Sequence, residues 1–181
     1  MAALVAGHQK VGETEHEYVR RIFDYDKATG ILSRRVRIGG ASRAGLRLGH
    51  YSRKRYLRTC YKGHCIQLHR LVWFYQNGEW PKNQIDHING VKDDNRWMNL
   101  RLASNSQNKM NSDVRADSAT QVKGVTIDRR SIRPARPFRA HICVDGKRTW
   151  LGYFSSIEEA KAARLAAEPI FHGSFARERA S

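Results

Sequence analysis

The sequence predicts an α+β fold in three consecutive parts, and three observations predict it. From Glu13 to Cys65 short alternating stretches and glycine-rich turns follow one another, with a helical pattern only at the start. From Gln84 to about Asn111 the pattern reads strand, loop, strand, helix. After Gly124 three alternating runs precede one alanine-rich helical stretch, the signature of a small antiparallel sheet backed by a helix. The expected organisation is a disordered 1–12, a basic β-rich arm over 13–65, a core over 66–112, a linker over 113–122, a sheet-and-helix unit over 123–175, and a tail over 176–181.

Each element has a local cause. Thr14 with Glu17 forms a capping box, so a short helix opens there with Tyr18, Ile22 and Phe23 as its apolar face. Asp26 to Gly30 is turn-rich, and Ile31 to Arg37 alternates as a strand. Gly39 to Gly49 is a loop. Arg55–Cys60 and Cys65–Leu68 form a hairpin around Lys62-Gly63-His64. Leu71 to Tyr75 is a buried helix ending near Gly78. Gln84 to Ile88 is a strand followed by the Asn89-Gly90 turn and the polar loop Asp93-Asp94-Asn95. Asn99 to Ala103 is the second strand, and Ser104 with Gln107 caps a helix that holds Asn108 in its first turns. Further on, Val125–Asp128, Phe138–Val144 and Arg148–Phe154 are strands, with Asp145-Gly146 as a hairpin turn. Ser155 with Glu158, or Ser156 with Glu159, caps a helix running to about Glu168, with Ala160, Ala163, Leu165 and Ala167 lying flat on the sheet.

Charge narrows the function classes. The 181 residues carry Lys+Arg 33 against Asp+Glu 17, a net +16, which points to a polyanionic partner. Twelve cationic residues and no acidic one lie between Asp26 and Glu79, with Arg53-Lys54-Arg55 the densest cluster. No apolar run approaches the roughly 20 residues that span a bilayer, and the start lacks the basic flank of a signal peptide. The expectation is a protein of the cytoplasm, neither secreted nor membrane-bound. Three cysteines, Cys60, Cys65 and Cys143, make no CxxC pair, which argues against a zinc module.

The run Ile85-Asp86-His87-Ile88-Asn89-Gly90 sets a carboxylate beside an imidazole, and Asn99-Leu100-Arg101 and Gln107-Asn108 follow. Carboxylate and amide oxygens are hard ligands suited to Mg²⁺ or Mn²⁺. A neutral imidazole beside them can take a proton from water. Alone, an Asp-His in a turn is most often a hydrogen-bonding pair and an Asn a turn former. The ordered set reverses those odds. With Leu68-His69-Arg70-Leu71-Val72-Trp73 upstream and Asp94-Asn95-Arg96 between, residues 66–111 resemble the homing-type branch of the HNH endonucleases. That resemblance implies a ββα-metal fold, one divalent cation on Asp86 and Asn108, His87 as general base, and Asn99 bracing the loop that orients His87. His69 is expected to brace the fold through a hydrogen bond, and Arg70 to contact phosphate or a core carboxylate; neither belongs to the catalytic set.

Residues 122–175 resemble the AP2 DNA-binding domain, on Gly124-Val125, Phe138-Arg139-Ala140-His141-Ile142, Arg148-Thr149-Trp150-Leu151-Gly152-Tyr153-Phe154, Glu158-Glu159-Ala160 and Phe171-His172-Gly173. The resemblance implies a three-stranded sheet laid into the major groove of double-stranded DNA. Arg130, Arg139, His141, Arg148 and Trp150 would face it, and Arg53, Lys54 and Arg55 of the arm would grip phosphate. Thr126, Asp128 and Cys143 stand where members of that family often carry arginine, so no base preference carries over. Together these readings imply a homing-type nicking endonuclease of a phage or mobile element, acting as a monomer in a bacterial host. A non-catalytic AP2-like regulator is the alternative. An RNA-directed protein would need stacking platforms, and only Tyr51, Tyr56, Tyr61 and Trp150 offer them.

Overall fold

The computed structural model describes residues 8–37, 43–112, 114, 118–128 and 135–175. Two compact units result. The first holds the described residues up to His87 together with Val91–Leu102; the second holds Ile88–Gly90 and the described residues from Ala103 onward. The division falls within the 66–112 segment.

In the first unit α1 (Glu15–Ile22) starts at Thr14, whose hydroxyl accepts from the Glu17 amide while the Glu17 carboxylate accepts from the Thr14 amide. Ahead of this helix start the Lys10 amide donates to Glu13 Oε2 at 2.8 Å and the Gln9 side chain to the Glu13 carbonyl at 2.7 Å. Strands β1 (Phe23–Tyr25) and β2 (Leu32–Arg34) pair antiparallel, Tyr25 opposite Leu32. Asp26 shapes the turn between them, accepting from the Ala28 amide and the Thr29 hydroxyl. Strands β3 (His50–Tyr51), β4 (Leu57–Tyr61) and β5 (His64–Gln67) form an antiparallel sheet. Cys60 lies opposite Cys65 in its register; both are free and exposed.

Helix α2 (Leu68–Asn77) ends at Gly78. Its apolar face joins Val19, Ile22, Phe23, Leu32, Leu57, Ile85 and Leu100 in one core. The basic β-rich stretch therefore shares its interior with the helix and strands that follow it. Strands β6 (Gln84–His87) and β7 (Leu100–Ala103) pair in a two-stranded sheet, and a 3-10 turn at Trp97–Asn99 precedes β7.

In the second unit α3 (Asn105–Asn111) carries the Ser104–Gln107 capping box, and the Lys123 ammonium donates to the carbonyls of Lys109, Met110 and Ser112 at its end. Strands β8 (Val125–Ile127), β9 (Phe138–Val144) and β10 (Lys147–Phe154) make an antiparallel sheet with β9 central. Helix α4 (Ile157–His172) is capped by Ser156 and packs Ala160 against Val125 and Ala140. It runs four residues past the expected end. Pro169 lies exposed within it, while Glu168 and His172 are buried. The expected flat apolar face is also corrected: Leu165 is exposed, while Arg164 and Glu168 are buried and paired at 3.1 Å.

Candidate active site

Asp86 and His87 end β6 and are both buried, at 4% exposure each. His87 Nε2 lies 3.1 Å from Asn95 Oδ1. An amide oxygen only accepts, so Nε2 carries the proton and Nδ1 is the basic nitrogen. Burial lowers the His87 pKa, opposed by the Asn95 bond and by the charges of Asp86, Asp94 and Asp93. The ring is therefore neutral at neutral pH. His69 stands edge-on to it at 5.1 Å, and Tyr56 packs against both imidazoles, 5.9 Å from His87 and 5.5 Å from His69.

The loop that holds Asn95 is fastened from the far end of the chain. The Tyr25 hydroxyl donates to the Asn95 carbonyl at 2.7 Å, and the Trp97 amide donates to the Lys27 carbonyl at 3.2 Å. Gly30, at φ +73°, lies so close that a Cβ there would collide with Asn95 C and Arg96 N. Asn99, buried, donates its side-chain amide to the Asp94 carbonyl at 2.7 Å, one residue from Asn95.

Asp86 Oδ2 accepts from Arg101 Nε at 2.9 Å and Nη2 at 2.8 Å. Asn108 lies half-buried on α3 in the second unit. Arg101 already balances the buried Asp86 carboxylate, and the side-chain oxygens of Asp86 and Asn108 are chemically hard donors. Among the described residues no group of three or more His, Cys, Asp or Glu is placed to hold a metal ion.

Residues 67–110 match the family model for the HNH endonucleases. No curated protein and no solved structure matches the chain. The HNH segment thus spans α2, β6, β7 and most of α3, and it contains Asp86, His87, Asn99 and Asn108. Sequence reasoning gave Asn95, Tyr56 and Arg101 no role in the site. Only the place of Asn95 and Arg101 within the motif runs could have marked them.

One expectation beside the site is corrected. Among the described residues the His69 ring makes no side-chain hydrogen bond: its Nδ1 is buried without a partner, and the ring packs edge-on against Tyr56 and His87. The Arg70 guanidinium donates to the Pro81 carbonyl at 3.0 Å.

Arg53, Lys54 and Arg55 sit exposed on the β3–β4 connection. The first two line a cavity of about 490 Å³ with Tyr56, Arg58, Cys65 and Gln67. Of the tyrosines available for stacking, Tyr61 is buried and Tyr51 donates its hydroxyl to Asp93. In the second unit Trp150 gathers the basic face of the sheet. The guanidinium of Arg139 lies 5.0 Å from its ring and that of Arg148 5.4 Å, with His141 edge-on at 5.4 Å. Arg139 also pairs with Asp128 at 3.4 Å. A bulge between Trp150 and Gly152 turns Tyr153 to lie opposite Arg139. Arg130 lies outside the described residues. Among the described residues no helix is long and apolar enough to cross a membrane.

Proposed function

We propose that this chain is a metal-dependent endonuclease that hydrolyses phosphodiester bonds in double-stranded DNA. The observation that carries the reading is the neutral His87, fixed by Asn95 through Nε2 and set beside the buried Asp86. Water attacks the scissile phosphorus, its proton passes to His87 Nδ1, and the P–O3′ bond breaks; the departing 3′ oxygen takes a proton from solvent, giving 5′-phosphate and 3′-hydroxyl ends. A divalent cation, Mg²⁺ or Mn²⁺, on Asp86 and Asn108 would supply Lewis-acid stabilisation of the phosphate and the leaving oxygen. Asn95 orients the base, and Asn99 holds the loop that carries Asn95.

The AP2-like sheet supplies register through Arg139, His141, Arg148 and Trp150, with Arg130 in the same role. Arg53, Lys54 and Arg55 grip phosphates on the arm. With one such site per chain, a monomer nicks one strand, as a homing-type enzyme of a phage or mobile element would.

The test is incubation of wild type and His87→Ala with supercoiled plasmid in Mg²⁺, Mn²⁺ or EDTA. Metal-dependent conversion to open circle by wild type, with His87→Ala inactive but still binding duplex DNA, is the expected result. Equal loss of binding and cutting would remove His87 from the chemistry. Tight duplex binding with no cutting of DNA that carries the chain's own target would favour the non-catalytic regulator.

A further inference from the structure

Asp86 and Arg101 face each other across β6 and β7. Two N–H groups of the guanidinium, at 2.9 and 2.8 Å, converge on one carboxylate oxygen. The side chains are 5% and 17% exposed, so the carboxylate is buried and the arginine side chain is partly open to solvent. A buried carboxylate needs a cation, because an uncompensated charge away from water is strongly disfavoured. In this arrangement the cation is Arg101.

We propose that Arg101 is a positioning residue that competes with the divalent cation for Asp86 and yields it when DNA phosphate takes the guanidinium. The inference rests on the reading of Asp86 as a metal ligand. A divalent cation placed on Asp86 meets a fixed positive charge held on the same carboxylate, and the two repel. The planar guanidinium fork suits phosphate as well as carboxylate, and the partly exposed side chain has solvent to turn toward. Binding of DNA and of metal then assist one another, since what removes Arg101 from Asp86 frees the carboxylate for the cation. Linkage makes the assistance reciprocal. The DNA-free protein loads metal weakly, which keeps the hydrolytic site unassembled until a backbone is in place.

The experiment is Mn²⁺ binding to the DNA-free, full-length protein, read from the loss of the free-ion electron paramagnetic resonance signal. Two variants without the charge, Arg101→Gln and Arg101→Met, are compared with the charge-retaining Arg101→Lys and with Asp86→Asn, each checked for folding by circular dichroism. The methionine variant keeps the apolar stem if glutamine fails to fold. Charge removal should tighten Mn²⁺ binding by at least about fivefold, the lower end of ordinary coupling between sites. Arg101→Lys should stay near wild type, and Asp86→Asn should abolish binding in either background. Unchanged or weaker binding by the charge-free variants, with Asp86→Asn still abolishing it, overturns the competition alone. Mn²⁺ binding that survives Asp86→Asn overturns the ligand assignment, and the competition with it.

Discussion

Acidification should destabilise the first unit through His69, and the structure sets the size of the effect. His69 is 3% exposed and its Nδ1 has no partner. Burial, with the neighbouring His87 and Arg70, pushes its pKa from the usual 6.5 down to about 3. The unfolded chain takes up the proton near 6.5 while the folded chain refuses it. The stabilising contribution is therefore complete above the unfolded pKa and is lost as pH falls toward the folded one. Integrating over that window, going from about pH 7 to about pH 5 removes about 2 kcal/mol from this group. His69→Phe keeps an aromatic ring against His87 and Tyr56 and leaves no hydrogen-bond partner stranded, because none exists. Urea unfolding followed by tryptophan fluorescence at the two pH values should show the variant losing about 2 kcal/mol less than wild type. Equal losses in the two proteins would refute the argument, since the other buried imidazoles remain in both.

Three further outcomes follow from the geometry. Asn95→Ala removes the acceptor on His87 Nε2 and should slow nicking by about tenfold or more while duplex binding holds, measured by single-turnover cleavage and gel shift. Gly30→Ala forces a Cβ into the Asn95–Arg96 backbone at φ +73°; a stability loss of about 1–3 kcal/mol with slower nicking is expected, by thermal melting and the plasmid assay. Arg148→Ala should lower duplex affinity and reduce the slope of log affinity against log salt by about one, read by fluorescence anisotropy across a salt series. An unchanged slope would place Arg148 away from phosphate.

The capping boxes at Thr14 and Ser104, the Lys62-Gly63 and Asp145-Gly146 hairpins and the alternation of β9 were all legible in the chain, because each is set within a few residues. The Tyr153 side was not. Strict alternation would point it away from Arg148 and Trp150, and the bulge beside Gly152, at φ +138°, reverses that parity. The ion pair buried in α4 was hidden for a similar reason: an Arg and a Glu four apart read as a solvated face until a sheet covers them.

What the sequence determined by itself is the set of chemical groups: an Asp-His pair at a strand end, an Asn on a capped helix, and a basic strand face carrying a tryptophan. What the tertiary structure decided is their state. His87 is neutral, with its proton on Nε2, because Asn95 accepts there. Asn95 is held because Tyr25, Lys27 and Gly30, some seventy residues earlier, close against its loop. Asp86 carries its counter-ion on the neighbouring strand. Capping and turn signals act over a few residues and can be read along the chain. Protonation state and charge pairing depend on burial and on partners from distant segments, so they exist only once the chain has packed.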